Sequence, residues 1–169
     1  MQLKLQEISL DMKSSYLNFT NEWKEKEEEI IPFSARLNNT DFEQFVSDIK
    51  LMETSAPTPF VNATTLVLTL DSKIIGAINI RHTLNDYLLR FGGHIGYGIS
   101  PSARGNGYAK IMVQMAYPIL TKLGIKKVLF ICEENNIASI KIIEGLGGIF
   151  ENEIIDPSGT KLKRYWVEL

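Results

Sequence analysis

Between the strand-like stretch GHIGYGIS and an amphipathic helix, the chain has only Pro101-Ser-Ala-Arg-Gly-Asn-Gly107 in which to change direction. Glycine enters left-handed backbone without a Cβ penalty, so Gly105 and Gly107 mark a tight strand-to-helix turn. The helix that follows starts with unpaired N–H groups and a partial positive charge, and the two glycines put no side chain in front of them. Arg104 adds a permanent planar cation. The segment is therefore either a turn that tolerates glycine or a seat for an anion. Lys110 stands where a dinucleotide fingerprint needs a third glycine or alanine, and no Gly-Lys-Ser/Thr P-loop is present.

The rest of the chain supplies the frame for that turn. Residues 3 to 8 alternate as a strand, and Ser9 caps a first helix whose tail, Lys24 to Glu29, pairs opposite charges on a solvent face before Pro32 stops it. Thr40 or Asp41 caps a second helix with Phe42, Phe45, Val46 and Ile49 on one side. TTLVLTL and IIGAINIRHTL form a hairpin around Asp71-Ser72-Lys73, and GHIGYGIS adds a third antiparallel strand. After the turn, Tyr108, Ile111, Met112, Met115, Ile119 and Leu123 make one helical stripe ending near Gly124, with Pro118 predicting a bend or an early end. KKVLFIC is a buried strand, NNIASIKIIEGLGG a helix with an Asn cap and a Gly terminator, and GIFENEII and KLKRYWVEL a final hairpin around Pro157-Ser-Gly159. The order predicts a single α+β domain over residues 1–169, with a mixed, mostly antiparallel sheet flanked by helices.

Charge and cysteine content narrow the function. With 18 basic and 20 acidic residues there is no electrostatic footprint for nucleic acid. Residues 1 to 50 carry 6 basic and 10 acidic side chains, which favours a cationic substrate or simply an exposed acidic helix. No apolar run has the length of a signal peptide core or a membrane span, so a cytoplasmic protein without a membrane partner is expected. Cys132 is the single cysteine, and with His82 and His94 it completes neither a disulfide nor a closed zinc site; no metal is expected.

Arg104-Gly-Asn-Gly107-Tyr-Ala109, preceded by a strand with Ile99 and Pro101, resembles the pyrophosphate-binding motif of the GNAT superfamily of acetyl-CoA-dependent N-acyltransferases. Asn136-Ile-Ala-Ser139-Ile-Lys-Ile-Ile143 is similar to the family's later Asn-x-x-Ser/Ala helix, and the element order over the whole chain also matches. GAINIRHTLN, GGHIGYGISPSARGNGYA and RYW look like a bacterial branch of predicted acetyltransferases. The resemblance implies a GNAT-like acyl-CoA N-acyltransferase fold, acetyl-CoA as donor, and an amine acceptor on a small molecule, peptide or protein terminus. It implies that the strand before the Arg motif splays from the next parallel strand, and that residues 97 to 99 and 127 to 132 flank the cofactor's pantetheine arm. Tyr97, Ile99, Arg104, Gly105, Asn106, Gly107, Tyr108, Ala109, Asn136 and Ser139 are then the cofactor-binding candidates. The glycines at 96 and 98 let backbone and thioester approach closely, or mark a β-bulge.

Direct transfer needs a neutral amine, hence a proton acceptor. The family's frequent Glu on this strand is replaced by Gly93, and its frequent Tyr by Ile143. His94 and His82 are the catalytic candidates left; a connecting loop symmetric about residue 88 places them opposite each other, titrating near neutrality, although both residues also suit a structural role. Glu133 and Glu134 are second-line bases or solvated loop carboxylates, and Cys132 an acyl carrier or a buried thiol. Phe33, Tyr165 and Trp166 line an acceptor cleft or fill the core. A non-catalytic acyl-CoA-binding module is the alternative function, and an exposed sheet edge permits a homodimer.

Overall fold

A computed structural model describes residues 1–169. β1 (Leu3–Glu7), β2 (Ala63–Leu70), β3 (Lys73–Arg81) and β4 (Ile95–Ile99) form one antiparallel sheet in that order. β5 (Lys127–Glu133), β7 (Lys161–Glu168) and β6 (Ile149–Ile155) form a second, with β7 in the middle. Asp71 and Ser72, at φ 47° and 71°, make the two-residue turn that suits the twist of the β2–β3 hairpin, with Leu70 paired to Lys73. No ladder joins β4 to β5, so the layer is divided at that place. No helix is long and apolar enough to cross a membrane.

The helices close both faces. α1 (Lys13–Glu25) and α2 (Phe42–Met52) cover one face of the first sheet, where Tyr16, Phe19, Trp23, Phe42 and Phe45 meet Val67, Ile74 and Ala77. α3 (Tyr108–Lys122) and α4 (Ile137–Gly145) cover the opposite face and span the divide, with Met112, Val113, Ala116 and Leu120 against Ile78, Ile95 and Ile99 of one sheet and Val128 and Phe130 of the other. Burying a Leu- or Phe-sized side chain stabilises by about 1.5–3 kcal/mol, so α3 is the main tie between the two halves.

Local chemistry explains where the helices begin and end. Asp41 caps α2 by accepting the Gln44 N–H at 2.8 Å, and Asn136 caps α4 by accepting the Ser139 N–H at 3.1 Å. Ser9 instead heads a 3-10 turn, Leu10–Met12, and donates to the Asp11 carboxylate. α1 stops at Glu25 and not at Pro32, because Glu27 turns left-handed (φ 55°) while Glu27 and Glu28 return their N–H groups to Lys24 and Trp23. The buried face of α3 is rotated from the expected stripe: Val113, Ala116 and Leu120 are fully buried, while Ile111 and Leu123 remain 37% exposed. The two-sided packing of α3 needs a broader apolar face, with small residues where it lies closest. Pro118 does not end α3, which runs on to Lys122 with Ala116 and Leu120 fully buried on either side of it.

Candidate active site

The division between the sheets is built by hydrogen-bond parity. In the β3–β4 pairing, Arg81 N–H donates to His94 O (2.8 Å) and Ser100 N–H to Ile75 O (2.8 Å). Alternation along an antiparallel pair therefore directs the N–H and C=O of Ile95, Tyr97 and Ile99 away from β3. The same parity on β5, marked by Leu169 N–H to Lys126 O and Glu134 N–H to Lys161 O (both 3.0 Å), directs Leu129, Ile131 and Glu133 away from β7. Two rows of strand-edge groups thus face each other across the divide.

His94 pins one end of it. Its N–H donates to Leu129 O (2.9 Å), and its Nδ1 accepts the Leu129 N–H (2.8 Å), so one residue supplies both halves of a pairing the strands do not otherwise make. Nδ1 is thereby unprotonated. Burial, aided by the nearby Arg81 charge, pulls the imidazole down to about 4. Gly93 precedes it at φ 70°, where a Cβ would lie 2.5 Å from Leu129 O; only glycine fits, which is the physical reason that no carboxylate stands there.

His82 is not opposite His94. The pairing brings Arg81 to that place, one residue off the expected symmetry, and a one-residue slip reverses the face a side chain points to. His82 lies just past β3, with Nε2 2.8 Å from Thr64 Oγ1 on β2, and burial lowers its pKa despite an opposing effect of Glu53. Neither histidine is thus held where it titrates near neutrality while facing the other.

At the far end of β4 the turn into α3 presents bare backbone. None of the N–H groups from Arg104 to Lys110 donates to another protein group, and the first bond of the helix is Ile111 N–H to Gly107 O at 3.2 Å. Gly105 (φ 79°) and Gly107 (φ 77°) have open space where a Cβ would be. Asn106 braces the turn through Ala103 O and Arg104 O, both at 3.1 Å. Tyr108 and Ala109 rest partly buried on the core.

The Arg104 guanidinium, expected to face an anion, is turned to α1. It forms a two-pronged pair with Glu28 (3.0 and 2.6 Å), lies 4.9 Å from the Trp23 ring centroid, and donates from Nε to Ile99 O at 3.1 Å. The hydrogen bond from Arg104 holds the Glu28 carboxyl below its usual range. Arg104 therefore braces the turn, and the cradle itself is main chain. Glu28 and Trp23 escaped the sequence reading because Arg104 lies 76 residues from Glu28 and meets Trp23 through the face of its ring.

The remaining candidates sort by face. Tyr97 Oη and Ser139 Oγ are 2.8 Å apart, linking β4 to α4, and burial pushes the Tyr97 phenol up to about 12. Cys132 is buried with its thiol pKa raised, Ile143 and Tyr165 fill the core, and Trp166 lies edge-on to His94 at 6.4 Å. Phe33 is 62% exposed. Glu133 is exposed and Glu134 lies 3.7 Å from Lys161. Gly96 and Gly98 admit the chain's own loop and not only a ligand: a Cβ at Gly98 would lie 2.3 Å from Ile31 O, and one at Gly96 would lie 3.3 Å from Pro32.

A split α+β sheet with an exposed amide cradle at the strand-to-helix turn defines an acyl-CoA transferase type of architecture. Residues 3–149 match the acetyltransferase (GNAT) domain family, and the chain belongs to that family of acetyl-CoA-dependent N-acetyltransferases. No curated protein matches. Among solved structures, the fold is similar to the ribosomal-protein-S5-alanine acetyltransferase of Vibrio fischeri (14% identity, TM-score 0.73, 99% of this chain and 93% of that one). It is also similar to a ribosomal L7/L12 alpha-N-protein acetyltransferase in complex with coenzyme A (13%, 0.72, 100% and 95%) and to a GNAT-family acetyltransferase of Streptococcus pneumoniae (15%, 0.66, 99% and 100%).

Proposed function

We propose that the chain, acting as one catalytic unit over residues 1–169, transfers the acetyl group of acetyl-CoA to a primary amine by direct attack. The observation that carries this reading is the presence of two groups of unpaired backbone donors at one end of the divide, Tyr97 and Ile99 on the β4 edge and residues 104–110 at the turn beyond it. A diphosphate suits the amides of Arg104, Gly105, Asn106, Gly107, Tyr108 and Ala109, since several N–H groups at a helix start carry partial positive charge. The pantetheine arm suits the divide, bonded to the β4 edge as an added strand would be, with Asn136 and Ser139 on the α4 side.

The amine nitrogen forms a bond to the thioester carbon, the C–S bond breaks, and its electron pair leaves on the CoA sulfur. The Ile99 N–H, directed into the divide, is placed to polarise the carbonyl oxygen. The ammonium proton leaves to water before attack, and the second proton that the nitrogen sheds as the amide forms passes through water to the departing CoA thiolate. His94 serves this step as the pin of the divide; its Nδ1 is already occupied and its affinity for a proton is low. His82, bonded to Thr64 two strands from the divide, lies outside the step.

The test is thiol release from acetyl-CoA with a panel of amino acids, peptides and polyamines. Amine-dependent release supports transfer. Tight CoA binding without release on any amine would instead identify an acyl-CoA-binding module.

A further inference from the structure

Arg81 is a cation without a counter-ion. Arg36, Arg104 and Arg164 are paired with Glu29, Glu28 and Glu151, and Arg90 is exposed beside Phe91. Half-buried Arg81 has only carbonyl partners, Gly92 O at 2.9 Å and Gly93 O at 3.2 Å, both taken by Nη1. A guanidinium stays charged in a protein, and burying a charge without an opposite one is costly. Its effect reaches the divide, where it helps to depress His94.

Position gives the unused donor a direction. Nη2 would lie 3.3 Å from a Cβ at Gly96, as would Pro32 Cβ, so it borders the seam between β4 and the loop that begins at Ile31. Asn79, two residues before Arg81 and paired with Gly96, points to the same face. Its Nδ2 donates to Thr65 Oγ1 (3.1 Å), which in turn donates to Ser34 Oγ (3.0 Å). This polar string stands among Ala35, Val67 and Ala77, on the face of the sheet opposite α3. On that face Arg81 borders the β4 edge of the divide beside Gly96.

Resting on the acetyl-transfer reading, we infer that Arg81 receives a carboxylate of the acceptor, so that the substrate is an amine that also carries a carboxylate group. A free amino acid and an acidic side chain near a peptide N-terminus share that chemistry. The planar fork suits a carboxylate, with Nη2 free to donate and the Ser34–Thr65–Asn79 string beside it.

The experiment is calorimetric binding, with CoA present as a non-reacting partner, of three matched pairs: free amino acids and their amides, acidic peptides and their Gln/Asn counterparts, and free and amidated peptide C-termini. The wild-type protein is expected to bind the carboxylate member of one pair class about tenfold or more tightly than its neutral partner, and the class that shows it identifies the source. Arg81→Gln is expected to abolish that preference, and Arg81→Lys to keep part of it, with CoA binding retained in both as the folding control. Should Arg81→Gln not fold, Arg81→Lys together with the wild-type comparison decides. Equal binding within every pair, a preference that survives in Arg81→Gln, or no binding of any carboxylate-bearing amine overturns the inference. Selective binding without thiol release defeats the acetyl-transfer reading alone.

Discussion

Single residues carry the joint between the sheets, and His94 is the clearest. Its folded pKa, about 4, lies below the ordinary 6.5, so between those values the unfolded chain binds more protons than the folded one. The stability due to neutral His94 is complete above pH 6.5 and is lost as pH falls toward 4, by roughly 3 kcal/mol. In His94→Asn the amide oxygen can accept the Leu129 N–H without titrating. Urea unfolding from pH 7 to pH 4 is expected to show the wild type losing about 3 kcal/mol more than the variant; parallel losses would contradict the pin. The sequence singled out both histidines, yet the pairing they were given depended on a register that only the packed loop between β3 and β4 decides. Arg81 went unnoticed for a related reason: in IIGAINIRHTL it reads as the polar end of an apolar strand, and its missing counter-ion is a fact of three dimensions.

At the scale of elements, the turn into α3 holds the proposed diphosphate. Gly107→Ala forces a Cβ into φ 77°, which costs about 1–2 kcal/mol of stability, and relaxation of that strain swings the adjoining N–H groups out of line. The KM for acetyl-CoA is expected to rise about tenfold or more while the fold persists, measured by thiol release; an unchanged KM would remove the cradle from the account. Most elements were legible because caps and terminators are local: Asp41 and Asn136 start their helices, and Gly124 and Gly147, both at positive φ, end theirs. The end of α1 was not, since Glu27 takes a left-handed turn that its side chain does not advertise. The face of α3 was misread by about one residue because its burial is set by two sheets and not by one.

For the whole molecule, strand order and the motif spacing sufficed for the fold, since each element keeps its period and the Gly-x-Gly turn has one place to fall. The division of the strands into two antiparallel sheets was reachable only through the family resemblance, because no residue type signals the absence of a ladder between β4 and β5. That absence is the center of the functional account: the edges left open there are the ones a thioester arm needs. Residue-resolved amide hydrogen exchange with and without acetyl-CoA tests it most directly. New protection is expected at Tyr97, Ile99 and the amides of residues 104–110; binding that protects other amides and leaves these exchanging as in the free protein would contradict an open divide that takes the cofactor.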